Sequence, residues 1–450
     1  MRRRLGVNRY ICVLGLLVLG ASTVWADTKP NIVLILADDL GYGDLSSYGA
    51  ADMRTPHIDG LMKSGMRFDQ FYSNCPVCSP TRAALLSGRY PDLVGVPGVI
   101  RTDRNNSWGN LDQNAVLMPE VLRDAGYYTA LVGKWHLGLE PPYTPNERGF
   151  DYFQGWLSGM MSDYYTHRRH DINYMRRDRE TIDPEGHATD LFTDWAIEVV
   201  EDRKNKDKPF FLYLAYTAPH NPIQPPDDVL KQVMERETGI DEDRAKIVAL
   251  IEHMDQCIGR VISALKASGQ MENTVIVFAS DNGGMLRFGA TNGPLRGGKG
   301  DMSEGGIRVP ACVVWPGHIE AGSRSDRVAM TMDLFPTLAA LVGAEETQGI
   351  EGVSILDTLL GKTQAQDERS LVWVRREGGA HNGRAYYAIR RGKWKLLQNS
   401  PFEPMALYDL ESDPQEKMPL PKNHPQYRAL SRELMEHISR SGRVPWQREE

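Results

Sequence analysis

Four short segments of the chain end in residue types that bind cations, bind oxyanions or move protons. Asp38-Asp39 follows NIVLILA, and Lys134-Trp135-His136 follows YYTALVG. His220 closes PFFLYLAYTAPH, and Asp281-Asn282 follows TVIVFAS. Asp38, Asp39, Asp281 and Asn282 offer three carboxylates and one amide, an all-oxygen set that suits calcium or magnesium rather than zinc. A cation would also let three carboxylates share a small volume, where like charges otherwise oppose ionisation. Lys134 and His136 are alternate residues and project the same way from an extended segment. With His220, and with Lys299 in the glycine-rich RGGKGDMSEGG, they would surround a tetrahedral oxyanion with two ammonium and two imidazole groups. Arg296, in the same run, reads as a surface residue. Taken singly, a polar residue after a strand belongs to a solvated loop. Four such ends meeting at one edge would make a site.

The stretch CPVCSPTR, Cys75 to Arg82, adds a nucleophile. No second ligand pair with zinc spacing accompanies its two cysteines, and nothing around them resembles a thioredoxin unit. CSPTR runs into the helix-forming AALLSG, and Pro80 suits a first helical turn, where its missing N–H costs nothing. Cys78 then sits near a helix N-terminus, where backbone N–H groups favour an anion. Arg82 lies about one turn along and can reach back to the same place. Cys75 reads as a packing neighbour. Cys257, flanking the helical stripe Ile247, Leu250, Met254, Ile258, Val261 and Leu265, and Cys312, inside VPACVVW, read as small core residues.

These residues need a scaffold. The four apolar runs are of strand length, rich in β-branched and aromatic residues, and show no clean alternation. That pattern predicts strands buried on both faces, as in a largely parallel sheet covered by helices. Helical stretches at Leu117–Ala125, Leu191–Asp202 and Asp241–Ala267 separate them. The alternation predicts an α/β fold with right-handed crossovers, in which ligands bind beyond the carboxyl ends of the strands. After about residue 350 the texture changes to shorter strands and turns, in ERSLVWVRR, RAYYAIRRGKWKLL and MALYDLESDP, with a closing helix at His424–Arg440. The reading is a catalytic domain at 27–350 and a small α+β C-terminal subdomain on an antiparallel sheet at 351–450.

Composition sets outer limits. The 450 residues are 41% hydrophobic and 25% charged, ordinary for a globular core. The net charge of −7 argues against a nucleic-acid partner, which needs a basic footprint, while leaving room for a local basic pocket. The opening MRRRLGVNRYICVLGLLVLGASTVWA has a basic start, a short apolar stretch containing Cys12, and small residues at Val24 and Ala26. Residues 1–26 therefore read as a cleaved secretory signal, and no later run is apolar enough to anchor the chain in a membrane. The expectation is an exported protein, periplasmic or secreted.

Taken together these motifs resemble the formylglycine-dependent (type I) sulfatases of the alkaline phosphatase-like superfamily. CSPTR matches that family's CxPxR signature, with SGRYP following. ILADDLGYGD, GKWHLG, APH, SDNGG and GPLRGGKGDMSEGGIRVP come in the family's order over residues 30–310, and MDLFPTLAALVG and LYDLESDP extend the likeness. The resemblance implies an alkaline phosphatase-like fold and oxidation of Cys78 to formylglycine by a formylglycine-generating enzyme. One hydroxyl of the hydrate would attack sulfur and displace the alcohol, and the second would expel sulfate. Asp38, Asp39, Asp281, Asn282 and the modified Cys78 would hold one calcium ion, with magnesium the alternative. Arg82 would support the diol, and Lys134 and Lys299 would clamp sulfate oxygens. His136 would assist the elimination, and His220 would protonate the leaving oxygen. A serine contact expected after GFD falls to Ser158 or Ser162. LSGMMSDYYTHRRH resembles a segment of arylsulfatase B-like and related bacterial enzymes. Its His167, Arg168, Arg169 and His170 would either contact anionic groups of a glycan or form a solvated basic loop. The implied substrate is a sulfated polysaccharide or glycosaminoglycan-derived oligosaccharide. The rivals are a phosphatase or phosphonate monoester hydrolase on the same scaffold, and an unmodified, inactive homologue that retains sulfated glycans.

Overall fold

The computed structural model describes residues 29–344, 349–363, 365, 368–377 and 385–447. The expected leader, with Cys12, lies outside the described residues. The four apolar runs form Asn31–Ala37 (β1), Tyr128–Lys134 (β2), Phe210–Ala215 (β3) and Thr274–Ser280 (β4). They lie side by side in the order β4-β1-β3-β2, and every pairing among them is parallel. All four carboxyl ends therefore open on one edge. Around them a ten-stranded sheet is completed by Tyr152–Trp156, Met175–Arg177 and Glu180–Thr181 beyond β2, and by Ala311–Val314, Met66–Phe68 and Ser323–Ser325 beyond β4. The pairings next to β4 and at the far flank are antiparallel, so parallel pairing is concentrated where both faces are covered.

Alternate strand residues feed two separate cores. Val33, Ile35, Leu212, Leu214, Ile276 and Phe278 share one with the helices Pro56–Ser64, Ala188–Arg203 and Glu242–Ala267. Ile32, Leu34, Leu36, Phe211, Val275 and Val277 share the other with Cys78–Ser87, Met118–Asp124 and Leu334–Leu341. Cys78–Ser87 is termed α1, Ala188–Arg203 α2 and Glu242–Ala267 α3. The start of α3 is set by Asp241, whose carboxylate accepts from the backbone N–H groups of Asp243 and Arg244.

The C-terminal region forms a four-stranded antiparallel sheet of Leu371–Arg376, Ala385–Arg391, Trp394–Gln398 and Ala406–Asp409, packed by the helix Pro425–Ser441 (α4) through Leu430 and Leu434. Its core, around Trp373, Leu396 and Leu407, is shared with Tyr72, Ala84, Met302 and Ile307 from the other part of the molecule. Trp373 Nε1 donates to Ser73 O at 2.7 Å. The small sheet thus rests on α1 and on the glycine-rich run. Among the described residues, no helix is long and apolar enough to cross a membrane.

Candidate active site

Strand register brings the acidic residues together. Ala37 pairs with Ser280 at the end of the β1–β4 ladder, and Asp281 N continues it by donating to Ala37 O at 3.0 Å. Asp38 and Asp281 therefore leave neighbouring strands side by side. Asp39 and His136 both adopt left-handed φ, 69° and 61°, as the chain turns off β1 and β2. Such a backbone costs about 1–2 kcal/mol per residue and persists only where the surroundings impose it. Two glycines permit close approaches. A Cβ on Gly283 would lie 1.8 Å from Gly305 O, where Gly283 N donates to Gly306 O at 3.0 Å. Lys299 N likewise donates to Gly284 O at 3.0 Å, so the β4 end and the glycine-rich run are zipped together, with Lys299 over the site. A Cβ on Gly159 would come within 2.1 Å of His136 Nε2.

Asp38, Asp39, Asp281 and Asn282 are all buried. Lys134 Nζ donates to Asp38 Oδ2, and Lys299 Nζ donates to Asp39 Oδ2 at 2.7 Å. Asn282 Nδ2 donates to Asp39 Oδ1 at 2.7 Å. Arg82, fully buried, grips Asp281 Oδ2 through Nε and Nη2 at 3.1 and 2.8 Å. Its guanidinium is thus held against Asp281 and the carbonyl of Lys134. Removing either partner of this pair would strand a buried charge, at a cost of about 3–5 kcal/mol. At Asp38 burial opposes ionisation, yet Lys134, His220, Arg82 and Lys299 outweigh it and hold the carboxyl far below the usual range. At Asp281 burial and the charge of Asp38 prevail over Arg82 and push the carboxyl up.

Two oxygens of this set have nothing to accept from: Asp38 Oδ1 and Asn282 Oδ1 are buried without a hydrogen-bond partner. Buried acceptors are almost always satisfied. Two orphaned oxygens among three carboxylates and an amide fit a hard, oxygen-ligated cation. Cys78, at the first position of α1, places a potential donor atom within 4.8 Å of those of Asp38 and Asp281. His220 does the same with Asp38 and Asp39.

Cys78 and Cys75 are free thiols with different surroundings. Cys75 is wholly buried, its Sγ directed to Val374 O at 3.5 Å and its backbone tied to Thr81 Oγ1. Cys78 is 3% exposed and lines a cavity of about 760 Å³. Burial pushes its thiol up, against the pull of Lys134 and Lys299. His136, Ser158, His220 and Lys299 line the same cavity, and Lys134 lies behind it. Burial, followed by Lys299, lowers His220 to about 4. His136 sits well below its ordinary value because of burial and Lys134; its Nε2 faces Ile100 O at 2.8 Å, and its Nδ1 is buried without a partner.

The surrounding basic segment divides. Arg169 and His170 line the cavity, whereas Arg168 pairs with both carboxylate oxygens of Asp183 at 2.8 Å. Arg168–Arg169 is a strand of a small hairpin, so its two side chains point to opposite faces. His167, just before the hairpin, is wholly buried and does not line the cavity. Ser158 lines the cavity, and Ser162 is exposed outside it. Arg296 is half-buried: it pairs with Glu416 at 3.6 Å and stacks over Tyr408, which corrects its surface reading. Ile100, Arg101, Arg287 and Arg375 also line the cavity and carry no sequence motif. Of these, Arg287 lay within reach of sequence reasoning, a few residues past the end of β4.

The family model described as Sulfatase matches residues 30–344, well over half of the 450. The chain belongs to the sulfatase family. It is a sulfuric ester hydrolase, and a second model, N-sulphoglucosamine sulphohydrolase, C-terminal, matches residues 298–443 of the sulfatase. N-acetylgalactosamine-6-sulfatase of Mus musculus is 34% identical over 406 residues, covering 85% of this sulfatase and 74% of its own length. Arylsulfatase A of Homo sapiens is 33% identical over 454 residues, covering 89% and 85%. Among solved structures, Ps i-CgsB in complex with k-i-k-neocarrahexaose is 34% identical with a TM-score of 0.84, covering 93% of this sulfatase and 95% of that chain. These neighbours share the alkaline phosphatase-like architecture of a large, mostly parallel sheet with a small antiparallel one.

Proposed function

We propose that this sulfatase is exported and removes sulfate from a sulfated polysaccharide or glycosaminoglycan-type oligosaccharide, with Cys78 as the precursor of a formylglycine nucleophile. The observation that carries the reading is the position of Cys78: it opens α1, borders the acidic cluster and the two lysines, and faces the cavity. Once oxidised and hydrated, that residue would supply two hydroxyl groups, one to attack sulfur and one whose deprotonation releases sulfate. Asp38, Asp39, Asp281 and Asn282, with the modified residue, would hold one calcium or magnesium ion, which when bound supplies a Lewis acid.

The chain's own side chains fill the remaining roles. Lys299, on the cavity wall, would bind a sulfate oxygen, with Lys134 adding positive charge from behind. Arg82 would act through Asp281, whose carboxylate it orients. His220 donates from Nδ1 to Asn221 O, 2.6 Å away, which leaves Nε2 as the ring atom that would take up a proton and pass it to the leaving oxygen. His136, with Nε2 engaged by Ile100 O, has Nδ1 left to accept a proton during release. Ser158, which lines the cavity where Ser162 does not, would contact the bound ester.

The glycan preference draws on Arg169, His170, Arg287 and Arg375 around the cavity. It also draws on the neighbour solved with k-i-k-neocarrahexaose and on N-acetylgalactosamine-6-sulfatase as a relative. Export follows from the leader-like first 26 residues, and modification requires a formylglycine-generating enzyme in the producing cell.

The test joins mass spectrometry of the Cys78 peptide to sulfate release from a panel of sulfated oligosaccharides. The expected result is an aldehyde or its hydrate at Cys78 in active enzyme. Cys78→Ala should lower kcat by at least about 10⁴-fold, as loss of a nucleophile does, while Cys75→Ala keeps most activity. Active enzyme carrying only the thiol would sink the mechanism. Retention of sulfated glycans without sulfate release, by fully modified enzyme, would favour the inactive binder.

A further inference from the structure

The cavity over Cys78 has a neighbour. A second cavity, of about 740 Å³, shares Ile100, Arg101 and Thr102 with the first, which is about 760 Å³. Each is of the size that binds a small ligand, and the shared wall makes them one cleft with two chambers. The hairpin of Arg168–Arg169 and Ile172–Asn173 stands between them. Arg169 and His170 on its first arm line the catalytic chamber, while Ile172 on its second arm, with Tyr174 and Arg176 just beyond, lines the other. His170 and Asp171 at the turn take left-handed φ of 50° and 63°, which folds the two arms tightly back.

The lining of the second chamber is that of a sugar site for an anionic chain. Arg176 donates from Nη1 to the carbonyls of Asn173 and Met175, at 3.1 and 2.9 Å, and no carboxylate pairs with it among the described residues. By contrast Arg101, on the shared wall, is matched by Glu377 at 2.8 Å, and Arg168 by Asp183. Glu140 is the acidic residue of this lining. Ile172 stands 53% exposed, an uncommon state for a large aliphatic side chain. Trp446, stacked on Trp108 with ring centroids 4.3 Å apart, closes another wall with Tyr143 nearby. Aromatic and aliphatic faces take the C–H faces of a sugar ring, and an uncompensated guanidinium takes a sulfate or carboxylate bidentately.

We infer that the second chamber binds further sugar units of the same sulfated chain, with Arg176 contacting an anionic group of a unit other than the one being desulfated. This rests on the glycan reading above. The sulfatase then draws binding energy from both chambers on a longer oligosaccharide, and from the first alone on a disaccharide or an aryl sulfate. Energy gained far from the reacting sulfur raises kcat/KM only for substrates long enough to reach it.

The experiment compares kcat/KM on an aryl sulfate, a disaccharide and a hexasaccharide from one sulfated polysaccharide, for wild type, Arg176→Gln and Ile172→Asp. Neither residue touches the acidic cluster or Cys78, and Ile172 is exposed, so the second variant adds like-charge repulsion without disturbing a core. Wild type should favour the hexasaccharide over the disaccharide. Both variants should lose about tenfold on the hexasaccharide, in keeping with a lost charged hydrogen bond, and hold wild-type rates on the aryl sulfate. Raising the salt concentration should narrow the difference. Equal losses on all three substrates, or none on the hexasaccharide while wild type still desulfates it, would overturn the second chamber and leave the glycan reading standing. Wild type that turns over the aryl sulfate but no sulfated glycan would overturn both.

Discussion

Asp38 Oδ1 and Asn282 Oδ1 are the most informative atoms of the site, because buried acceptors without donors ask for something the chain does not itself supply. A cation that binds the folded protein stabilises it by about 2.7 kcal/mol at a hundredfold excess over its Kd. Chelation should therefore lower the thermal midpoint and the activity together, and added calcium should restore both. Asp38→Asn should show no such shift in midpoint and should lose about 10²–10³-fold in kcat. Atomic emission on the purified wild type provides the independent readout, and a metal-free protein with an unmoved midpoint would refute the site. At this scale the sequence was legible wherever a residue lay at or just past the end of a strand, as Asp38, Lys134 and Asp281 do, with His220 in the turn that follows Ala215. It was silent where a partner decided the outcome. Arg168 carries the same charge as Arg169, and only the carboxylate of Asp183 and the alternation of a two-residue strand separate their fates. Ser158 and Ser162 likewise differ only in the face they occupy.

The helices and strands were more readable than the contacts between them. Thr274–Ser280 and the body of Glu242–Ala267 follow the expected bounds, since long apolar runs and a capped periodic stretch carry their own signals. Met175–Arg177 and Glu180–Thr181 were not foreseen, because two or three residues cannot display a period. The α2–α3 contact holds a titratable pair of the same hidden kind: His253 Nε2 meets Asp190 Oδ2 at 3.1 Å. Burial works against the charged imidazole, yet Asp190 and Cys257 outweigh it and raise His253 to about 9. A raised histidine adds stability in full below its unfolded value, near 6.5, and loses it as pH climbs through the folded value. The contribution should therefore fade between about pH 6.5 and 9. Asp190→Asn should lower stability at pH 6 by about 1 kcal/mol relative to wild type, a modest amount because Asp190 is part-exposed and screened. At pH 10 the gap should narrow to what Asp190 contributes through Arg260, whose Nη1 lies 3.3 Å away and stays charged, measured by calorimetry across that range. A gap that stayed constant with pH would assign the stability to packing instead.

At the scale of the whole molecule, the change of texture near residue 350 marks a change of sheet, and the small sheet also holds part of the active site in place. Lys395, wholly buried, meets Glu304 and Glu416 at 2.8 Å each, and Glu304 N donates to Glu416 Oε2 at 2.8 Å. Asn399 binds Ser303 Oγ at 3.0 Å. The run that carries Lys299 is thereby bolted to the C-terminal sheet. No local pattern announces a contact between residues 91 apart, so this bolt could not be read from the sequence. Lys395→Met should strand two buried carboxylates and cost about 3–5 kcal/mol by denaturant titration. Adding Glu416→Gln should recover part of the loss, and a single variant as stable as wild type would show that the cluster bears no load. The near-complete enclosure of Cys78 has a consequence in time. Arg82, one turn past it, waits 199 residues of synthesis for its partner Asp281, roughly 10–40 s at ordinary elongation rates. On the formylglycine reading proposed above, a maturation enzyme would have that interval to reach an open segment; once β4 and the glycine-rich run close over it, Cys78 is reached only through the cavity. On that reading the competence of each molecule would be settled by a race between modification and folding, and a chain that folded first would stay unmodified.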